Sequence, residues 1–371
     1  VSPTVAVLVV GSVVAASCAL VGSFLVLRRL SLLGDAISHA VLPGIAIAFL
    51  LSGQRAALPM VLGAGALGLL TVLLVELLHR TGRLKEDASI GVVFPALFSI
   101  GVILISRYTA QVDLDLDCVL YGEIAYAPWD LLLVGDTSLG PKALWVNGAT
   151  LLANALLVGL LYKELKVTTF DPGLAASMGF PPTLLHYLLM AAVSVTVVGA
   201  FESVGAILVV AMLVVPPATA YLLTDRLGPM IALGMTLGVA SALAGYALAR
   251  ALDASIAGAM ATMAGALFAL AFLASPRHGL VARLLSHRRL AGRLSRQLLM
   301  LHLADGGRAV PLATLDHRFG WPPRRLRRGL AALAAAGSVE LTGDAVRLTP
   351  AGAAQVARSG AETLAHPLAD G

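Results

Sequence analysis

The first three quarters of the chain alternate between long apolar runs and short polar or basic breaks. A helix crosses a bilayer core with roughly 20 mostly apolar residues. On that rule the pattern predicts spans at about 4–27, 31–51, 57–78, 88–106, 143–162, 184–200, 203–223, 227–249 and 253–274. The segment 114–135, LDLDCVLYGEIAYAPWDLLLVG, is semi-apolar, broken by Pro128 and dotted with acids, and reads as a short re-entrant or interfacial piece. The count is eight to ten spans, with nine preferred.

Composition agrees, with 58% of residues hydrophobic and 13% charged, against about half and a quarter in soluble domains. Charge then divides the chain. From Arg277 onward there are 14 Arg, no Lys and 6 acids, whereas the residues before it carry 12 bases and 15 acids. The expected architecture is an all-α polytopic membrane domain over 1–275, a basic linker over 276–290, and a small soluble domain over 291–371. Arg28-Arg29, HRTGRLK (79–85), KELK (163–166) and the Arg-rich tail favour the cytoplasm. Nine spans put all four on one side and the amino terminus outside, with Arg55 and Arg107 against the bias. Cys18 and Cys118 make no disulfide framework or thiolate metal site, and no cleavable signal peptide is evident.

Motifs narrow the chemistry. GAGALG (63–68) fits the dinucleotide-binding spacing but lies inside an apolar helix, so close packing through small residues is the better reading. The sequence holds no phosphate-binding loop of the G-x-x-x-x-G-K-[ST] type and no H-E-x-x-H zinc motif. Ionisable groups inside a span are costly and mark a pathway by default. In GDAISHA (34–40), Asp35 and His39 lie four residues apart on one helix face, with Ser38 beside them and Pro43 able to loosen the next turn. A carboxylate and a neutral imidazole suit manganese, iron or zinc. The competing reading is that the two merely bond each other or cap a helix starting near residue 33.

Other polar positions are weighed the same way. Glu202, in GAFESVGAIL between two spans, is a weak ligand candidate and reads first as an interfacial acid or a helix-start contact. Glu123 with Asp113, Asp115 and Asp117 would make an acidic outer vestibule, or simply a solvated loop. His186 after Pro181-Pro182 reads as structural at the cytoplasmic interface. The loop VTTFDPGLAASMGFPPT (167–183) predicts a short helix over about 171–178, with Asp171 as cap, Pro172 at the first position and Gly179 as stop. Such an element between two spans suits docking of a cytoplasmic partner.

Three stretches, LRRLSLLGDAISHAVLPGIAIAFLL (27–51), FDPGLAASMGFPPTLLHYLLM (170–190) and ESVGAILVVAMLVVPPATAYLLTDRL (202–227), resemble the permease subunits of metal-ion ABC importers. The similarity runs in order over roughly 5–275. It implies a dimeric permease in a bacterial cytoplasmic membrane, with a separate cytoplasmic ATPase and a separate extracytoplasmic metal-binding protein. It also implies that Asp35 and His39 line the translocation path and that the 170–180 loop, with Phe170, Asp171, Pro172, Ala175 and Gly179, is the ATPase coupling helix. The ions carried would be Mn2+, Zn2+ or Fe2+, with no resident cofactor.

The tail has its own pattern. Helices are expected over 294–305 and 310–320, then a basic helix over 321–337, a hairpin of SVEL and AVRL around TGD, and a last helix from residue 349. This order resembles a winged helix-turn-helix of metal-responsive repressors or MarR-type regulators. Arg324, Arg325, Arg327 and Arg328 would then face phosphates or bases. The preferred alternative is protein contact, with the arginines drawn to anionic lipid or the ATPase; nucleic acid is the disfavoured partner. The tail histidines His278, His287, His302, His317 and His366 show no ligand spacing. The reading that follows is a permease of an ATP-driven divalent-metal importer. Its rivals are an ion-coupled secondary carrier and a membrane-anchored metal-responsive regulator.

Overall fold

The computed structural model describes residues 2–52, 57–108, 124–134, 137–275, 279, 294–304, 309–312, 314–315 and 320–365. These fall into two compact units, residues 1–279 and 280–371. The predicted acids Asp113, Asp115, Asp117 and Glu123, with Arg55, Cys118, the 276–278 and 280–290 linker residues and His278, His287, His317 and His366, lie outside the described residues.

In the first unit the helices are α1 (Pro3–Leu27), α2 (Ser31–Ser52), α3 (Ala57–Arg80), α4 (Glu86–Tyr108), α5 (Lys142–Leu160), α6 (Tyr162–Phe170), α7 (Pro172–Ser177), α8 (Pro182–Val204), α9 (Ala206–Leu223), α10 (Leu227–Leu252) and α11 (Ile256–Ala274). Among the described residues nine of them are long and apolar enough to cross a membrane. Where no water is available a helix satisfies every backbone group within its own segment, which is why apolar length alone anticipates these spans.

Burial sorts these spans into two layers. The apolar window of α1 is 72% buried and that of α5 only 22%. α1, α2, α8 and α9 form the interior, while α3, α4, α5, α10 and α11 turn leucines such as Leu73, Leu77, Leu152 and Leu156 outward. α1 is the hub and packs against α5, α8, α9 and α10. Its Gly22 meets the backbone of Leu213 so closely that any Cβ would collide with that carbonyl. Close approach through small residues is how helices gain contact in a solvent as apolar as themselves. The GAGALG stretch works this way at two of its glycines: a Cβ on Gly63 would lie 2.6 Å from the Gly44 carbonyl oxygen, and one on Gly68 would strike Ser194.

The first unit is not wholly helical. Between α4 and α5 stand a single 3-10 turn, Ile124–Tyr126, and an antiparallel hairpin of β1 (Leu131–Val134) and β2 (Thr137–Pro141). The expectation of an all-α unit is corrected there, because β1 falls within the stretch 114–135 read as a short re-entrant or interfacial piece. Cys18 is free and buried.

In the second unit a helix over 294–304 precedes β3 (Val310–Pro311), α12 (Pro323–Ala335), β4 (Val339–Thr342), β5 (Ala345–Leu348) and α13 (Pro350–Ala365). The strands form one sheet in the order β3-β5-β4, with β4 and β5 joined through Gly343 in left-handed conformation. Leu326, Leu330 and Leu333 of α12 enter a core with Leu299, Leu303, Val339 and Val346. The helix expected from residue 310 is corrected at its start, where Val310 and Pro311 pair with β5 instead.

Candidate functional site

Asp35 and His39 share one face of α2, and their side chains meet: His39 Nε2 lies 3.5 Å from Asp35 Oδ1. The sequence places them there on both sides of the helix at once. Gly34, next to Asp35, has no side chain, so Leu213 of α9 presses onto that position. On the other side the His39 ring packs against Phe94 and Phe98 of α4, with centroids 5.0 and 5.6 Å away. Both polar side chains are partly buried. Among the described residues His39 Nδ1 is buried and has no hydrogen-bond partner. A buried polar nitrogen left unpaired costs on the order of 1–3 kcal/mol.

Ser38 is placed differently from its neighbours. It is buried, and its hydroxyl donates to the Gly34 carbonyl at 2.9 Å. Among the described residues no third His, Cys, Asp or Glu joins Asp35 and His39 in a cluster able to hold a metal.

Glu202 belongs to the last turn of α8, not to a loop. The helix runs on to Val204 and stops at Gly205, whose φ of 78° ends it. Its carboxylate accepts from Lys142 Nζ at 2.8 Å, at the start of α5, in a cleft also lined by Tyr126, Asp130 and Ser203. Lys142 went unnoticed in the sequence because its partner is distant in the chain.

The short helix α7 is built as its sequence predicts. Asp171 accepts from the Leu174 amide at 2.9 Å, Pro172 occupies the first turn, and Gly179 takes a φ of +87° past the end. Ala175 is fully buried, so it ties the helix to the rest of the unit and is not part of its outer surface. Phe170, Leu174 and Met178 are 60, 51 and 57% exposed. Phe170 closes α6, Leu174 lies on α7 and Met178 follows its last turn, so the three flank the break at Asp171, whose backbone is extended.

Beside α7 lies a polar network that no motif announced. Arg28, at the end of α1, donates through Nε to Thr169 Oγ1 (3.1 Å) and through Nη2 to Thr168 Oγ1 (3.2 Å), both on α6. Its Nη1 faces His186 Nδ1 of α8 at 3.4 Å. Arginine has only donors, so Nδ1 accepts and the proton of a neutral His186 sits on Nε2. That nitrogen faces Glu76 Oε2 of α3 at 3.9 Å, and Glu76 in turn holds Arg80 at 2.7 Å. Burial lowers the Arg28 pKa from its ordinary value. The basic ends of α1 and α3 and the α6 region thus gather at one end of the bundle, as an even number of crossings between them requires.

In the second unit, Arg324, Arg327 and Arg328 are exposed on the face of α12 opposite its buried leucines, while the side chain of Arg325 lies outside the described residues.

Comparison with known proteins matches this arrangement to an established group. The ABC 3 transport family matches residues 3–275. The manganese transport system membrane protein MntD of Bacillus subtilis is 50% identical over 277 residues, 75% of this chain and 94% of that protein. The zinc transport system membrane protein TroD of Treponema pallidum is 46% identical over 355 residues, 94% of this chain and 96% of its own length, so the likeness reaches into the second unit. Among solved structures, PsaBC from Streptococcus pneumoniae in complex with Fab is 33% identical, with a TM-score of 0.63, over 75% of this chain and 94% of that one. With the family matched across the whole membrane unit and such relatives sharing up to half of the aligned residues, this chain belongs to the ABC 3 transport family.

Proposed function

We propose that the chain is the membrane permease subunit of an ATP-binding-cassette importer, moving a divalent transition metal through a bacterial cytoplasmic membrane by alternating access. The observation that carries the metal assignment is the pairing of the partly exposed His39 imidazole and Asp35 carboxylate, Nε2 to Oδ1 at 3.5 Å, on a helix long and apolar enough to cross a membrane. The cargo would be Mn2+, Zn2+ or Fe2+, since carboxylate plus imidazole serves all three. An outer binding protein would deliver the ion and Asp35 and His39 would hold it in transit. Glu202, tied to Lys142 and half-exposed, is supported less as a ligand than as an anchor between α5 and α8. Ser38, turned onto its own helix, would shape the face without binding.

ATP would be hydrolysed on separate cytoplasmic subunits docked on α7. The exposed Phe170, Leu174 and Met178 would be the contact, and Asp171, Pro172, Ala175 and Gly179 would keep them in place. A second permease protomer, identical or related, would complete the path. The helix, sheet and basic helix of the second unit support a winged-helix-like cytoplasmic domain over 291–371. Its exposed Arg324, Arg327 and Arg328 would meet an acidic protein surface or lipid headgroups more readily than DNA, because a membrane-tethered domain has those neighbours at hand.

The test is metal uptake into proteoliposomes holding the complete complex with ATPase and binding protein. Asp35→Ala and His39→Ala, each still assembled, are expected to lower ATP-dependent uptake about tenfold or more, the scale of losing one coordinating or charge-assisted contact. Wild-type uptake in both variants would refute the metal assignment. Uptake by the wild-type chain without ATP would favour a secondary carrier.

A further inference from the structure

We infer that Arg28 is a positioning residue that transmits movement of α7 to the α1–α2 turn, and through it to Asp35 and His39. The inference rests on the reading of the chain as an ATP-driven permease and adds a physical link between its two ends. Three observations carry it.

First, the guanidinium uses three different nitrogens on three acceptors. Two of these sit on α6 and the third on α8, which flank α7 on its two sides. The acceptors are themselves oriented: Thr168 and Thr169 donate their hydroxyls to the carbonyls of Glu164 and Leu165, at 2.8 and 2.6 Å. Their lone pairs are thereby aimed at Arg28. A planar fork held at three points reports both translation and tilt of the helices that hold it, which a point charge cannot do.

Second, the turn beyond Arg28 is stiff. Arg29 takes a φ of 62°, its amide donates to the Val26 carbonyl at 3.2 Å, and the Leu30 amide donates to the Leu25 carbonyl at 2.9 Å. This is the paired-bond helix terminus with a left-handed residue after the last turn, here occupied by a non-glycine residue. Leu30 and Leu33 are buried behind it. Such a turn passes a displacement on instead of absorbing it.

Third, α2 begins at Ser31, and Asp35 lies in its second turn. Movement of the Arg28 end therefore reaches the first metal-path carboxylate within a single rigid segment. No carboxylate lies within ion-pair distance of Arg28 among the described residues. Its partly buried charge is thus spent on neutral acceptors, a costly arrangement if the aim were only to bind helices together.

The experiment measures metal ions taken up per ATP hydrolysed by the complete complex in proteoliposomes, alongside ATPase retention on purification. Arg28→Ala, Arg28→Lys and the pair Thr168→Val with Thr169→Val are each expected to retain the ATPase while the ratio falls about tenfold, the scale of losing a charge-assisted hydrogen bond. Adding Arg28→Ala to the threonine pair is expected to lower it no further, since one link is being cut twice. The inference is overturned if Arg28→Lys restores the wild-type ratio, which would make Arg28 only a charge. It is equally overturned if the threonine pair leaves the ratio unchanged or the losses add. Should Arg28→Ala fail to assemble, the lysine and threonine variants decide alone. A wild-type complex without ATP-dependent uptake would instead overturn the permease reading itself, so the two failures are told apart.

Discussion

Replacing Asp171 separates a capping role from a charge role in α7, the proposed coupling helix. The carboxylate makes one hydrogen bond that matters to the helix start, from the Leu174 amide at 2.9 Å. α7 has only six residues, Pro172–Ser177, and a helix of that length has little stability of its own. Removing a good cap costs about 1 kcal/mol, with a range of roughly 0.5–2. A change of about 1 kcal/mol alters an equilibrium roughly fivefold. Since Leu174 is presented by this turn and Met178 follows it, Asp171→Ala is expected to weaken ATPase association by about that factor. Asparagine caps as well as aspartate, and glycine loses only a few tenths of a kcal/mol. Asp171→Asn is therefore expected to match wild type and Asp171→Gly to fall close to it. The assay is an affinity titration of the ATPase against detergent-solubilised permease, with metal transfer from the binding protein as a control for the outer side. If Asp171→Asn proves as damaging as Asp171→Ala, the carboxylate acts by its charge on the partner and the capping argument fails.

Two further perturbations test the bundle. Gly63→Ala is expected to destabilise the permease by about 1–3 kcal/mol through overpacking, because its Cβ would lie 2.6 Å from the Gly44 carbonyl and 2.7 Å from Ala48. Gly65→Ala, two residues on with nothing within 4 Å, should be neutral or slightly stabilising; thermal unfolding in detergent compares them. Glu202→Gln, which weakens a partly exposed pair worth at most about 1 kcal/mol, is expected to change metal uptake less than twofold. A loss as large as that of Asp35→Ala would make Glu202 a ligand.

Legibility in the sequence followed the range of each interaction. The nine spans and α7 were readable because apolar length and capping residues act locally, and lipid leaves a chain few alternatives to helix. The hairpin of β1 and β2 was not, since LLLV and TSLGP carry no alternating pattern and pair with each other around a break. Glu202 was assigned to a loop because the apolar run pauses at Phe201-Glu202, yet the backbone stops only where Gly205 permits a positive φ. The Arg28 network was invisible for another reason. Its partners lie 140 to 158 residues away, and a single sequence gives no sign of which distant threonine or histidine will face an arginine.

The pairing of Asp35 with His39 was legible as a shared helix face, but its consequence was not. A carboxylate 3.5 Å from an imidazole could be a closed structural pair, and the spacing alone permits that reading. Among the described residues no third donor joins the pair, and metal uptake by the Asp35→Ala and His39→Ala variants decides between the two readings. Two donors, however, hold a divalent metal poorly. Structural zinc is usually held by four ligands, and a site that closed fully around its ion would retain the cargo instead of passing it on. An incomplete donor set on each chain therefore fits transport better than storage. On the proposed reading the remaining ligands would come from water, from the delivering protein or from a second permease, so that coordination would be lost whenever those surfaces part.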